Sequence, residues 1–109
     1  MTIGSDEQLE QLKHVGRVVA ATLRTMAAAV EPGMTTRELD TLGRQLLSRA
    51  GARSAPESRY RFPGATCISV APAIAHGIPG DRVMKAGDLV NIDVSAISPI
   101  PGLASAFLR

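Results

Sequence analysis

Leu9, Leu12, Val15, Val19, Leu23, Met26 and Val30 recur at spacings of three and four near the start of the chain. At 3.6 residues per turn that spacing draws one apolar stripe. The segment is therefore bound to fold as a long amphipathic helix with its stripe against another layer. Ser5 lies three residues before Gln8, with Asp6 and Glu7 between them, a capping-box pattern with acids well placed for the helix dipole. Pro32 and Gly33 end the run. Thr35 and Glu38 repeat the box at once, Leu39, Leu42, Leu46 and Leu47 give a second stripe, and Gly51 supplies its stop.

The remainder changes period. "ARSAPESRYRFP", residues 52–63, has two prolines and no repeat, and is expected to be loop. "TCISVA" predicts a strand over 66–71, and "LVNIDVSA" a strand over 89–96. Between them "HGIPGDRVMKAGD" carries three glycines and a proline and reads as turns. The expected order is helix, helix, strand, strand, an α+β domain in which two amphipathic helices pack on short antiparallel strands.

Composition narrows the class. Hydrophobic residues make up 45% of the 109, which permits a core, and aromatics only 3%, so the core is expected to be aliphatic. Net charge is +2 and the arginines between Arg17 and Arg61 are scattered. That pattern describes a solvated surface, and specific nucleic-acid binding is not expected. Cys67 is the single cysteine, so no internal disulfide forms. The N-terminus lacks a basic start followed by an apolar run, and no apolar stretch has the length of a membrane helix. The expectation is a soluble cytoplasmic protein without a membrane partner.

Few residues bear chemistry. Asp93 sits in "NIDVS", where Val90, Ile92 and Val94 share one strand face and Asn91, Asp93 and Ser95 the other. An acid there either faces solvent or is paired with a cation or metal. Asp81 and Asp88 read as turn residues. His76 stands in "IAHGIPG"; by itself a loop histidine is more often a surface residue than a ligand or an acid. Cys67, inside an apolar strand pattern, reads as a small buried hydrophobe. His14 reads as a surface or packing residue on the first helix. No phosphate loop, zinc-finger spacing or HExxH occurs.

The runs "PGMTTRELD", "GARSAP", "FPGATCISV", "AHGIPGDR" and "AGDLVNIDVSA" stand in the order and near the spacing found in type I methionine aminopeptidases. The resemblance spans roughly residues 8–96. It implies the N-terminal half of a pita-bread fold, and an activity that removes the initiator methionine from nascent chains, in the neighbourhood of the ribosome. It also implies two divalent metal ions, Co, Mn, Fe or Zn, held by two Asp, one His and two Glu. Asp93 matches the first Asp ligand. His76 matches the catalytic histidine that contacts substrate, and Cys67 and Phe62 match positions lining the methionine pocket. Carboxylates and imidazole suit any of those metals, and a thiol and an aromatic ring suit a thioether.

The chain departs from the family pattern after Ala96. The second Asp ligand is expected near position 104, where Ala104 stands, and no Asp or Glu follows Asp93. "SVAPAIAHG" lacks the usual Asn-Glu, and "ESRYRF" differs from the family's Gly-Tyr pattern. The expectation is a partial domain over 1–96 followed by a non-family tail over 97–109, the tail arising from an out-of-frame ending. Such a chain is expected to be inactive alone. The alternative is a non-catalytic half-domain that binds a partner chain or a second copy through its bare apolar surface.

Overall fold

The computed structural model describes residues 6–71, 77–97 and 105–108. The first stripe forms α1, Asp6–Ala29, with Asp6 and Glu7 in its first turn. Ser5 lies outside the described residues. Val15, Val19 and Met26 are buried, and Val18 and Thr22 join them to widen the buried face.

The second stripe forms α2, Thr36–Arg49, and its cap is the expected box. Glu38 N donates to Thr35 Oγ1 at 3.1 Å, and Thr35 N donates to Glu38 Oε1 at 3.3 Å. At the far end Gly51 takes φ +76°. Its N–H donates to Ser48 O at 3.0 Å, and Ala52 N donates to Leu47 O at 2.9 Å. Those two bonds are the Schellman pattern, and the positive φ that completes it is why a glycine stands there.

The stretch 52–63 is not the loop expected of it. It contains β1, Arg53–Ser54, and a short helix α3, Ala55–Tyr60. The cause is a third cap. Ser54 Oγ accepts from Glu57 N at 3.4 Å, with a proline in the first turn and Arg61 left-handed at the end. "SAPE" carries the Ser-x-x-Glu signature of a helix start, but its two prolines and lack of period masked it.

β2 is Cys67–Ala71 and β3 is Leu89–Ile97, one residue longer than expected. They pair antiparallel with Ile68 opposite Ile92 and Val70 opposite Val90. β1 pairs with Ala96 and Ile97 on one side of β3. On the other side the segment expected to be a non-family tail contributes β4, Ser105–Leu108, which pairs antiparallel with Val94–Ile97 and lies against α1. β3 is thus the central strand. Its face of Ile92, Val94 and Ala96 is buried while Asn91, Asp93 and Ser95 stand on the more open face, the alternation read from the sequence.

The core is aliphatic as expected, built from Val15, Val19 and Met26 on α1, Leu39 and Leu47 on α2, and Ile68, Val70, Ile92 and Val94 on the sheet. No helix among the described residues is long and apolar enough to cross a membrane.

Gly51→Ala is expected to cost about 1 kcal/mol in urea denaturation, because a β-carbon there meets no neighbour and the penalty is backbone conformation alone. Gly16→Ala, inside α1 with equally open space, is expected to stabilise by up to ~1 kcal/mol. Equal signs for the two substitutions would refute that account.

Candidate active site

The β2–β3 register sets Cys67 directly opposite Asp93. Cross-strand neighbours on one face bring their β-carbons to about 5 Å. Both side chains are half-buried, and Asp93 Oδ1 is sealed from solvent. Burial pushes the Cys67 thiol above its ordinary range, and the charges of Asp93 and then Asp40 push it the same way. The thiol is therefore held protonated near neutral pH, which suits a soft packing surface and not a nucleophile.

Two glycines show how closely the neighbouring loop approaches. A β-carbon on Gly77 would lie 3.0 Å from Cys67 Cβ and 3.3 Å from Ser69 Oγ. Gly77 also has φ +71°, and its carbonyl accepts from Ile68 N at 2.8 Å. A β-carbon on Gly64 would lie 2.7 Å from Pro79 Cδ and 3.4 Å from Phe62 Cε2. The 77–79 segment thus runs past Cys67 and then Gly64. His76 precedes Gly77 in sequence and lies outside the described residues.

That segment is held from its other end. Thr36 N donates to Arg82 O, Arg37 N to Gly80 O and Gly33 N to Met84 O, while Met84 N donates back to Met34 O. Thr36 Oγ1 both donates to Gly80 O and accepts from Gly80 N. Arg37 pairs with Asp81. Asp88 accepts from Lys85 N at 2.7 Å, the turn role expected of it. His14 is exposed on α1.

Asp40 is the residue that sequence reasoning missed. It is 3% exposed. Oδ1 accepts from Thr66 N at 2.8 Å and Thr66 Oγ1 at 2.5 Å, and Oδ2 accepts from Ala65 N at 3.1 Å. Arg44 bridges it to α3, reaching Asp40 at 3.5 Å and Glu57 at 2.8 Å. The signal was present. Thr36, Leu39, Asp40, Gly43 and Leu47 share one helical face, and a carboxylate on a buried stripe demands donors.

Among the described residues no group of three or more His, Cys, Asp or Glu side chains converges on a point where an ion would sit. The described residues by themselves do not complete a metal centre.

The metallopeptidase family M24 matches residues 10–99. The chain belongs to that family. It is 53% identical over 97 residues to methionine aminopeptidase 2 of Bacillus subtilis (strain 168), an overlap of 88% of this chain and 39% of the relative. Among solved structures, the methionine aminopeptidase of Rickettsia prowazekii superposes with a TM-score of 0.78 at 34% identity, over 89% of this chain and 39% of that one. The Thermotoga maritima enzyme gives 0.81 at 30% identity, over 91% and 40%. The fold is thus the pita-bread type over the part spanned, and the chain spans about two-fifths of the length of the curated relatives it matches. The order of motifs read from the sequence carried the family.

Two outcomes check this geometry. Gly77→Ala is expected to destabilise by about 2 kcal/mol, since it adds a close contact with Cys67 to an unfavourable φ, whereas Gly80→Ala, with open space around it, stays within ~0.5 kcal/mol. Alkylation of Cys67 by iodoacetamide, followed against pH, is expected to rise at higher pH than for a free cysteine derivative. A midpoint at or below the free thiol's would contradict the burial described.

Proposed function

We propose that this chain forms one wall of a methionine aminopeptidase site. Asp93 is the metal-ligand position, His76 contacts the substrate at the scissile peptide, and Cys67 and Phe62 line the pocket for the methionine side chain. Residues 1–96 supply this partial domain, and 97–109 lie outside the family pattern. The observation that carries the reading is the direct pairing of Cys67 with Asp93 across β2 and β3. It sets a soft, protonated thiol beside the one carboxylate on the open face of the central strand.

The chemistry this chain can contribute is recognition. A thioether is polarizable and apolar, and it packs well against a thiol and an aromatic edge. Gly64 and Gly77 keep the loop close enough to narrow that pocket. In the intact family two divalent ions supply Lewis acidity and an activated water. A single carboxylate anchors a divalent ion weakly, so these 109 residues by themselves are proposed not to hydrolyse peptides.

The test has two arms. The purified chain with added Co²⁺ or Mn²⁺ is expected to release no methionine from a Met-Ala peptide above a His76→Ala control. Fused to the remaining length of the Bacillus subtilis relative, it is expected to regain release, and Asp93→Ala in that fusion to lower kcat/KM by about 100-fold or more. A folded fusion that is inactive, or one indifferent to Asp93→Ala, refutes the assignment.

Exposed apolar side chains favour one further reading, a half-domain that binds a partner. Leu89 is 74% exposed, Ile78 50% and Val83 42%. A monodisperse complex or dimer by light scattering, lost on Leu89→Ser, would support it; a monomeric chain removes it.

A further inference from the structure

We propose that Asp40 is a positioning residue for the pocket wall formed by Cys67 and Phe62, fixing the Ala65–Thr66 peptide and through it the place of the Cys67 side chain. The proposal rests on the methionine-pocket reading above. Four polar contacts pin that peptide. Asp40 takes Ala65 N, Thr66 N and Thr66 Oγ1, and Ser54 Oγ donates to Ala65 O at 2.6 Å. Thr66 is wholly buried, and its Cγ2 lies 3.1 Å from where a β-carbon on Gly43 would stand. Its hydroxyl and its methyl are both held by α2, one turn apart. Cys67 is the next residue and the first of β2, so its α-carbon inherits that placement before pairing with Asp93 begins.

Stability alone does not account for an acid at this position. A buried carboxylate loses hydration that its bonds only offset, and an apolar residue on the same stripe would hold α2 in the core at least as well. What the carboxylate adds is geometry. Two oxygens with fixed separation accept from two successive N–H groups and a hydroxyl, which admits one orientation of the strand entry.

The single cysteine gives a direct readout. The full chain is alkylated with iodoacetamide at one pH, the rate is read by mass, and the urea midpoint of each variant is measured beside it. Asp40→Ala is expected to speed alkylation about tenfold, with Asp40→Asn, which keeps one acceptor oxygen, restoring part of the protection. Leu47→Ala lowers the midpoint by removing core without touching Thr66, and is expected to leave the rate within about twofold of the parent. Thr66→Val, which removes one hydroxyl and keeps the shape, is expected to speed it about threefold. Methionine amide is then added as a pocket probe. It is expected to slow alkylation of the parent and not of Asp40→Asn.

Equal rates for Leu47→Ala and Asp40→Ala at matched midpoints would overturn the proposal. So would parent-like rates for both Thr66→Val and Asp40→Asn, or equal protection of parent and Asp40→Asn by the amide. Loss of the folded circular dichroism signal in both Asp40→Asn and Thr66→Val would make the contact a requirement of folding only, and also overturns it. Failure of the amide to protect even the parent sinks the methionine-pocket reading instead, while the variant rates still decide whether Asp40 places Cys67.

Discussion

The carboxylate of Asp40 is the contact on which the rest of the arrangement depends. It joins α2 to the entry of β2, and β2 carries Cys67 to Asp93. Burying a charge is unfavourable until its lone pairs are filled, and here both oxygens are engaged, with Arg44 approaching from the exposed side. Arg44 is itself forked onto Glu57, whose backbone caps on Ser54, and Ser54 holds the carbonyl of Ala65. Two separate pieces of chain, α2 and the Ser54–Glu57 segment, therefore close on one peptide. The hydrogen bond that the Arg44 guanidinium donates to Glu57, set against partial burial, leaves it above its ordinary value.

A second constraint acts from the other end of α2. The link 33–37 zips against 80–84 through four backbone bonds and the reciprocal Thr36–Gly80 pair. Helix α2 thus organises the surroundings of Cys67 from two sides: its N-terminus holds the 80–84 segment that follows Gly77, and its buried face holds the strand entry. Gly64 faces that loop and Gly77 belongs to it, and a β-carbon on either would crowd the approach, against Pro79 for Gly64 and against Cys67 for Gly77. This explains why "PGMTTRELD", "FPGATC" and "HGIPGD" travel together as motifs although they are distant in sequence. Each supplies one side of the same set of contacts.

Those facts also mark what single-sequence reasoning reaches. Period and caps gave α1 and α2 because their signals are local, a stripe and a Ser/Thr-x-x-Glu/Gln box. The polar face of β3 was legible for the same reason, since alternation is local. The α3 helix was not, because two prolines suppressed the period that would have drawn attention to Ser54 and Glu57. The pairing of β4 with Val94–Ile97 was missed because strand pairing at a distance leaves no periodic trace in four residues. Asp40 was overlooked inside a familiar motif, though its place on the apolar stripe asked which donors it met. Asp93 was matched to a ligand position through resemblance alone; spacing left it between an exposed acid and a ligand.

The open face of β3 shows how these pieces meet. A metal centre needs several ligands converging from different elements, and among the described residues no group of three or more His, Cys, Asp or Glu side chains does so. Cys67, Phe62, Gly64, Gly77 and Pro79 lie on consecutive or hydrogen-bonded segments, and α2 fixes those segments from both ends. The part of the family architecture present in this chain is therefore organised first around the Cys67–Asp93 pairing and the loop that Gly77 brings against it.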